Sequence, residues 1–313
     1  MPSGVAQLAR LGVTPPAWAC HPFRGIRYID ATSGIEVIAD ADFGAGMGLG
    51  VRRLGLSEAL RDRARALGVD LRERTEALGF RQDTTSVAVQ TTAGEVRGDW
   101  LIAADGLHSQ VRKWAGIPTV TGPARRLGIR RHYTVKPWSD RVEVWWANDV
   151  EAYVTPVGPE RVGVAFLWSG RCQKGDLDTF LGVFPKLAEH LGPPESTVRG
   201  AGPFDVRVQT QAAGRVLLVG DAAGYTDALT GEGLAQGMEQ AEILVGLCLA
   251  GKPTAWPGRW SAMTRRHRWF TRGLLQIAAR PWLRRWVVRG LAANPWAFRL
   301  ALNTGAGQGR LSG

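Results

Sequence analysis

The residues best suited to chemistry lie between Gly214 and Gly237, GRVLLVGDAAGYTDALTGEGLAQG. Val216, Leu217, Leu218 and Val219 form an unbroken apolar, β-branched run, the pattern of a short strand covered on both faces. Gly220-Asp221 stops the run and leaves a carboxylate at the strand's end. Further on, Thr230-Gly231-Glu232-Gly233 opens LAQGMEQAEILVGLCLAG, where Leu234, Met238, Ala241, Leu244 and Cys248 recur at helical spacing. A helix start marked by glycines leaves bare backbone N–H groups open to a ligand. A second cluster, Leu101-Ile-Ala-Ala-Asp105-Gly106-Leu-His-Ser109-Gln-Val-Arg112, puts an Asp-Gly turn behind another apolar strand; alone, it is a turn that caps a helix. A third, Gly50-Val51-Arg52-Arg53-Leu-Gly-Leu56-Ser-Glu-Ala-Leu60, sets two arginines ahead of a helix, where in isolation either is a surface arginine.

The elements that must position these residues follow from pattern and punctuation. Val5, Leu8 and Ala9 mark a short helix that Gly12 ends. Ile26 to Ile29 and Ile35 to Ala39 are expected to pair across the turn at 31–34. Leu56, Leu60, Ala64 and Leu67 mark a helix, followed by an expected short strand at Val69 to Leu71. Ser86 to Thr91 and Glu95 to Arg97 read as a hairpin, and Trp100 to Ala103 as a buried strand. Gly128 to Val135, Arg141 to Ala147, Glu151 to Pro156 and Arg161 to Trp168 alternate apolar and polar residues, which predicts an antiparallel sheet. Asp178 to Leu191 is expected to be one helix, Val206 to Thr210 leads back to the Val216 strand, and the remainder is helical, interrupted at Pro281 and Pro295.

Composition narrows the classes of function. The 313 residues, 45% hydrophobic, suffice for a core, and no apolar run has the length of a transmembrane helix. Cys20, Cys172 and Cys248 are odd in number and scattered, which suits neither a disulfide framework nor a cysteine zinc site; the five histidines show no ligand spacing, so no metal is expected. No GxSxG elbow is present. The net charge of +11 arises in the C-terminal region, which from Gly251 onward has twelve Lys and Arg and no Asp or Glu. Six of the thirteen tryptophans lie there too: Trp256, Trp260, Trp269, Trp282, Trp286 and Trp296. Arginine with tryptophan suits the headgroup zone of an anionic membrane, or a lipid-like substrate, better than base readout, so nucleic acid is not an expected partner. The competing reading is a helical subdomain with its tryptophans packed inward.

The Gly214–Gly237 stretch resembles the second flavin-binding motif of FAD-dependent oxidoreductases of the aromatic-hydroxylase and geranylgeranyl-reductase superfamily, and residues 105–112 resemble the ADG-x-x-S-x-VR motif of hydroxylase-type flavoenzymes. The resemblance covers roughly residues 1–250 and is strongest at these two motifs. It implies that Asp105 and Gly106 shape the turn beneath the flavin, with Arg112 in the supporting charge network. It also implies that Gly220 and Asp221 hold the ribityl chain through the acceptor-only carboxylate, and that Gly231, Glu232 and Gly233 present N–H groups to the flavin's pyrimidine edge. Arg53, better spaced to Leu56 and Leu60 than Arg52, is the arginine expected to reach the cofactor. His108 and Tyr153 lie near motifs but no side chain is assigned as acid, base or nucleophile. The family often has Pro shortly before its Gly-x-Gly, whereas this sequence has Asp227-Ala-Leu-Thr230. The Trp-x-Trp-x-Ile-Pro element of flavin-dependent halogenases is absent.

Members of this family open with a strand, a GxGxxG turn and a helix, and this sequence does not; Gly44-Ala-Gly46-Met-Gly48-Leu-Gly50 and Gly305-Ala-Gly307-Gln-Gly309 both fail that spacing. The expectation is that Met1 is an internal methionine of a longer protein, with about forty upstream codons for the missing unit. The competing expectation is a remnant without cofactor, or one whose first unit comes from another chain. The expected fold is mixed α/β: a Rossmann-like FAD/NAD(P)-binding domain, truncated at its N-terminus, with an inserted antiparallel substrate-domain sheet and a helical C-terminus. The expected domains are a discontinuous FAD-binding part at 1–122 and 204–250, with 22–45 able to add to the substrate sheet, that sheet at 123–203, and a basic, Trp-rich region at 251–313. The expected function is an FAD-dependent reductase or monooxygenase acting on a hydrophobic small molecule or lipid, isoprenoid or aromatic, with NAD(P)H as donor. The expected location is cytoplasmic, peripheral at the membrane through 251–313. The alternative is a non-catalytic lipid or membrane-surface binder on the same scaffold.

Overall fold

The computed structural model describes residues 1–32, 34–123, 125–169 and 176–305; Ser33 of the expected 31–34 turn, Cys172 and the glycines at 307 and 309 lie outside the described residues. The chain divides into two compact units. The first comprises Met1–Arg63, Ala124–Pro203 and Phe270–Gly313. Its framework is a seven-stranded sheet built from β2 (Gly25–Asp30), β3 (Val37–Asp42), β10 (Arg126–Thr134), β11 (Arg141–Trp146), β12 (Val150–Gly158), β13 (Arg161–Ser169) and β14 (Arg199–Ala201), in the order β14-β10-β13-β12-β11-β2-β3. Helix α1 (Pro2–Arg10), a two-stranded ribbon of β1 (Cys20–Phe23) with β4 (Gly48–Val51), and the start of α2 (Arg53–Ala66) complete its N-terminal part.

Alternation along the strands divides this sheet into two faces. On β13, Val162, Val164, Phe166 and Trp168 are buried on one face with Ala152 and Val154 of β12, beneath Leu177, Phe180, Phe184 and Leu187. Those last residues belong to α4 (Leu177–Val183), α5 (Pro185–Glu189) and the joint between them. One helix was expected over Asp178–Leu191; Pro185, which has no N–H for the helical ladder, splits it and becomes the first residue of α5. The four segments expected to form an antiparallel sheet do so, in the order β10-β13-β12-β11. β2 runs parallel to β11, with Tyr28 opposite Val144, because a long crossover rather than a hairpin joins them.

The opposite face, around Tyr28, Val144, Trp146 and Ala41, is covered by Val288 of α8 (Pro281–Ala293) and by Phe298 and Leu302 of α9 (Pro295–Gly305). Both helices begin at a proline, as expected, since proline fits a first helical position. Arg284 of α8 enters this interface almost fully buried. Its guanidinium donates to Asp30 at 3.1 Å, to the Ala278 carbonyl at 2.9 Å and to Thr32 Oγ1 at 2.5 Å. The glycines at 48 and 50 have a packing reason: a Cβ on Gly50 would lie 1.9 Å from the Pro156 carbonyl oxygen, and one on Gly48 would strike the Phe23 ring at 2.4 Å.

The second unit comprises Ala64–Pro123 and Phe204–Trp269. A three-stranded antiparallel sheet of β5 (Ala77–Gln82), β6 (Val87–Thr91) and β7 (Gly94–Gly98) contains the expected hairpin. The expected strand at Val69–Leu71 is absent. Asp70 interrupts the run and Val69 and Leu71 stay exposed; the partner of β6 is β5, whose Phe80 packs on the core. A second small sheet has the order β16-β17-β8, from β8 (Leu101–Ala103), β16 (Ala212–Ala213) and β17 (Val216–Leu218). Helix α3 (Gln110–Trp114), the pair β9 (Thr119–Thr121) and β15 (Val206–Val208), α6 (Gly233–Leu249) and the start of α7 (Trp256–Ala278) surround it. Leu217, Leu218 and Leu244 form its core with Trp256, whose indole N–H donates to the Leu218 carbonyl at 2.9 Å. On α6 the buried residues are Gln240 and Leu244, with Leu247 partly buried beside them, while Leu234, expected on that stripe, is 43% exposed. No helix among the described residues is long and apolar enough to cross a membrane, and no group of three His, Cys, Asp or Glu among them could hold a metal ion.

Arg284→Ala leaves the buried Asp30 carboxylate without its ion pair and should cost about 3–5 kcal/mol in urea unfolding, whereas Arg285→Ala, only peripherally paired to Asp30, should cost under about 1 kcal/mol. Burial, reinforced by Arg130, Arg52 and Arg161 and opposed by Glu195, pushes the His132 pKa down to about 4. An unfolded histidine takes up its proton near pH 6.5, so the unfolded state is favoured progressively as pH falls from about 6.5 to that lower value. Urea midpoints should therefore fall across this window, and His132→Gln should flatten the dependence; an unchanged slope would contradict the assignment.

Candidate flavin site

Within the second unit, β8 and β17 lie side by side and parallel, with Leu101, Ile102 and Ala103 opposite Val216, Leu217 and Leu218. Their ladder ends with the Val219 N–H donating to the Ala103 carbonyl at 3.0 Å. The Asp105-Gly106 and Gly220-Asp221 turns therefore leave the same, carboxyl ends of adjacent parallel strands, the place where open α/β sheets hold ligands. β8 is an edge strand among the described residues, and Ile102 on it is 39% exposed.

Each turn is built by local hydrogen bonds. Gly106 takes φ +82°, which a side chain would resist. Asp105 Oδ2 accepts from the Val111 N–H at 3.1 Å, and Ser109 Oγ accepts from the Arg112 N–H at 3.0 Å, so both cap the first turn of α3. Arg112 is 5% exposed and ties the two turns together: its guanidinium donates to the Ala222 carbonyl and to the Leu107 carbonyl, each at 2.8 Å. Burial lowers its pKa, with the Asp105 charge acting the other way.

The second turn is a single 3-10 turn over Gly220–Ala223 that begins at φ +61°. The Gly220 N–H donates to Gln240 Oε1 at 2.8 Å, and Gly237 of α6 lies beside this turn, where a Cβ would stand 3.9 Å from Gly220 Cα, in ordinary contact. Gly231, at φ +64°, has no atom within 4 Å of where a Cβ would stand. Glu232 is buried, its carboxylate 3.1 Å from His267 Nδ1. Gly233 starts α6 with no side-chain cap, and Gly231, Gly233 and Leu234 are exposed. Between these segments and α7 lies a cavity of about 40 Å³, lined among others by Asp221, Gln236, Gln240, Trp260, Thr264 and Arg268. That volume takes water rather than a ring system; the accessible part of the site is the open surface at the start of α6. Glu232 Oε1 and Trp260 Nε1 are buried beside it without a hydrogen-bond partner among the described residues.

Seven of the eight expected cofactor-site residues thus belong to one unit: Asp105, Gly106, Gly220, Asp221, Gly231, Glu232 and Gly233. Arg53 belongs to the other. There it is exposed at the start of α2, beside Arg52, which pairs with Glu195 at 3.1 Å. Arg52, Arg53 and Arg199 all act on Arg130, whose pKa burial and these three cations lower. Gln240, His267, Trp260 and Arg268 are site residues that sequence reasoning missed. Gln240 had one signal, a second glutamine one turn after Gln236 on the same side of the helix; the three residues of α7 had none. His108 is an exposed turn residue, and Tyr153 donates its hydroxyl to Glu151 at 3.0 Å.

The chain is 32% identical over 211 residues to dialkyldecalin synthase of Streptomyces rugosporus, covering 63% of this chain and 44% of that protein. It is 27% identical over 243 residues to digeranylgeranylglycerophospholipid reductase of Methanosarcina acetivorans, covering 72% and 59% respectively. The chain therefore spans about half the length of the curated relatives it matches. A flavoprotein/dehydrogenase from Cytophaga hutchinsonii shares the fold with a TM-score of 0.79 at 17% identity, over 97% of this chain and 79% of that one. Residues 32–250, well over half of the chain, match the family described as FAD binding domain, and the chain belongs to that family within the FAD-dependent oxidoreductase superfamily.

Proposed function

We propose that the protein is an FAD-dependent oxidoreductase, a reductase or monooxygenase, that acts on a hydrophobic isoprenoid or aromatic substrate with NAD(P)H as electron donor. The observation that carries this reading is the placing of the Asp105-Gly106 and Gly220-Asp221 turns at the carboxyl ends of paired parallel strands, with the uncapped start of α6 beside them. The residues fit the ribityl and isoalloxazine part of FAD. Gly231 has open space where a side chain would stand, the first N–H groups of α6 meet no side-chain acceptor, and the Asp221 carboxylate can only accept. Asp221 and Gly220 would hold the ribityl chain. The backbone at Gly231, Glu232 and Gly233 would face the pyrimidine edge, where the positive end of α6 favours negative charge. Asp105 and Gly106 would support the turn beneath the ring. Bound FAD supplies the hydride-transfer or oxygen-activating chemistry itself.

For the substrate, support comes from the open part of the seven-stranded sheet. Arg130, Ala165 and Tyr153 stand opposite one another across three strands, in a row that passes from an exposed cation, over a small residue, to a partly exposed aromatic ring. Such a row suits a molecule with a polar end and a hydrophobic body. The reductase relative is named for a prenylated phospholipid, consistent with a lipid-like substrate. A second reading, a flavin-site scaffold that does not run redox chemistry, is favoured by the similarity to dialkyldecalin synthase, named as a synthase rather than an oxidoreductase.

Titration of the purified protein with FAD, followed by flavin fluorescence and visible absorption, tests the site. Saturable binding is expected, and Asp221→Ala should weaken it roughly 10- to 100-fold, the worth of a hydrogen bond to a charged acceptor. Arg112→Ala should weaken it by disordering both turns, with a lowered urea midpoint as its signature. A protein that neither quenches nor retains FAD would refute the proposal. Binding without bleaching by NADH or NADPH under anaerobic conditions would favour the second reading.

A further inference from the structure

The outward faces of α8 and α9 are unusual for a folded surface. Their inward residues, Arg284, Val288, Phe298 and Leu302, are buried against the sheet. Trp282, Trp286, Arg289 and Ala293 follow one another at helical spacing on the outside of α8, and Trp296, Arg299 and Leu300 do so on α9. Trp282 is 67% exposed, Trp286 68%, Trp296 67% and Leu300 60%. Ile35, 72% exposed, adds to the patch at the β2–β3 turn, whose carbonyl at Ile35 accepts from Arg285 at 3.2 Å. Isolated apolar residues on a surface are ordinary; three tryptophans and a leucine collected on two adjoining helices, with an isoleucine at the β2–β3 turn, are not.

We infer that this face is a membrane-docking surface that seats the protein on a bilayer containing anionic lipid. Charge decides between occupants. Arg280, Arg289 and Arg299 are exposed on these helices or next to them, and no Asp or Glu occurs anywhere from residue 251 onward. A second copy apposed through the same face would bring these arginines against their own kind with no carboxylate on the helices to offset them. An anionic lipid surface supplies the missing charge, and its interfacial zone is where the indole's apolar body and N–H are both satisfied. The helices are already folded and anchored on the sheet, so docking would not carry the ordering cost of a free amphipathic segment. The inference rests on α8 and α9 alone and stands apart from the flavin-site reading.

Removing the C-terminal region would strip α8 and α9 from the sheet and leave Asp30 without Arg284, so surface substitutions are the proper test. Co-sedimentation compares phosphatidylcholine vesicles with vesicles that also contain about 30 mol% phosphatidylglycerol. The wild-type chain should sediment with the anionic vesicles and much less with the neutral ones, and added salt should weaken its binding. The variant Trp282→Ser/Trp286→Ser/Trp296→Ser should bind at least about tenfold more weakly with an unchanged urea midpoint, and Arg289→Ser/Arg299→Ser about fivefold more weakly per charge removed. Should the triple variant not fold, Trp286→Ala alone carries the comparison. Failure of the wild-type chain to sediment, equal binding by the tryptophan variant, or a solution dimer that the tryptophan variant dissociates would each overturn the inference.

Discussion

Three residues of β8 hydrogen-bonded in parallel to three residues of β17 set the position of the two turns that carry the proposed flavin site. Parallel pairing aligns the strands' carboxyl ends, so two loops far apart in sequence emerge together. The pair is short and cannot hold those loops alone. Arg112 completes the arrangement by donating to a carbonyl in each loop, while Gln240 fixes the Gly220 N–H and α6 lies against the turn across Gly237. A buried guanidinium shared between two backbone carbonyls is costly to remove, because two acceptors lose their partner at once. It joins the position of the Asp105 turn to that of the Asp221 turn, and neither can shift without the other.

The chemistry-bearing motifs were legible in the sequence because each combines a local conformational demand with a chemical one. Gly106, Gly220 and Gly231 all take positive φ, where glycine is the ordinary choice, and each stands next to an acidic residue. Long alternating segments were equally legible: the four strands over residues 126–169 lie where alternation put them, because one face of each is buried under α4 and α5. What could not be read depends on contacts distant in the chain. Val69–Leu71 has the composition of a strand, yet the pairing partner of β6 is Ala77–Gln82. The parallel pairing of β2 with β11 and the role of Gln240 likewise follow from neighbours that periodicity cannot identify. Pro185 was visible, but continuous apolar spacing on both sides of it disguised a break as a single helix.

The basic, tryptophan-rich C-terminal region divides its residues by direction. Trp256 and Trp260 are buried in the core of one unit, so for them the inward reading holds; Trp282, Trp286 and Trp296 face outward on helices whose inner sides are also apolar. A helix with both faces apolar needs two partners. The sheet is one of them, and the buried Arg284–Asp30 pair fixes the register of that contact. Placing a charged pair there adds little net stability, but it makes an alternative rotation of α8 expensive, since Asp30 would then be buried alone. The outward orientation of the tryptophans is therefore tied to the inward orientation of Arg284.

In the proposed function FAD is held at one compact arrangement, the carboxyl ends of β8 and β17 with the start of α6. Hydrogen–deuterium exchange of the full chain, with and without saturating FAD, tests it directly. Protection should appear at the backbone amides of residues 104–112, 219–224 and 231–236, while the exposed helices α8 and α9 should exchange equally in both states. Protection confined to other segments, or none at the start of α6, would mean that FAD is not held there.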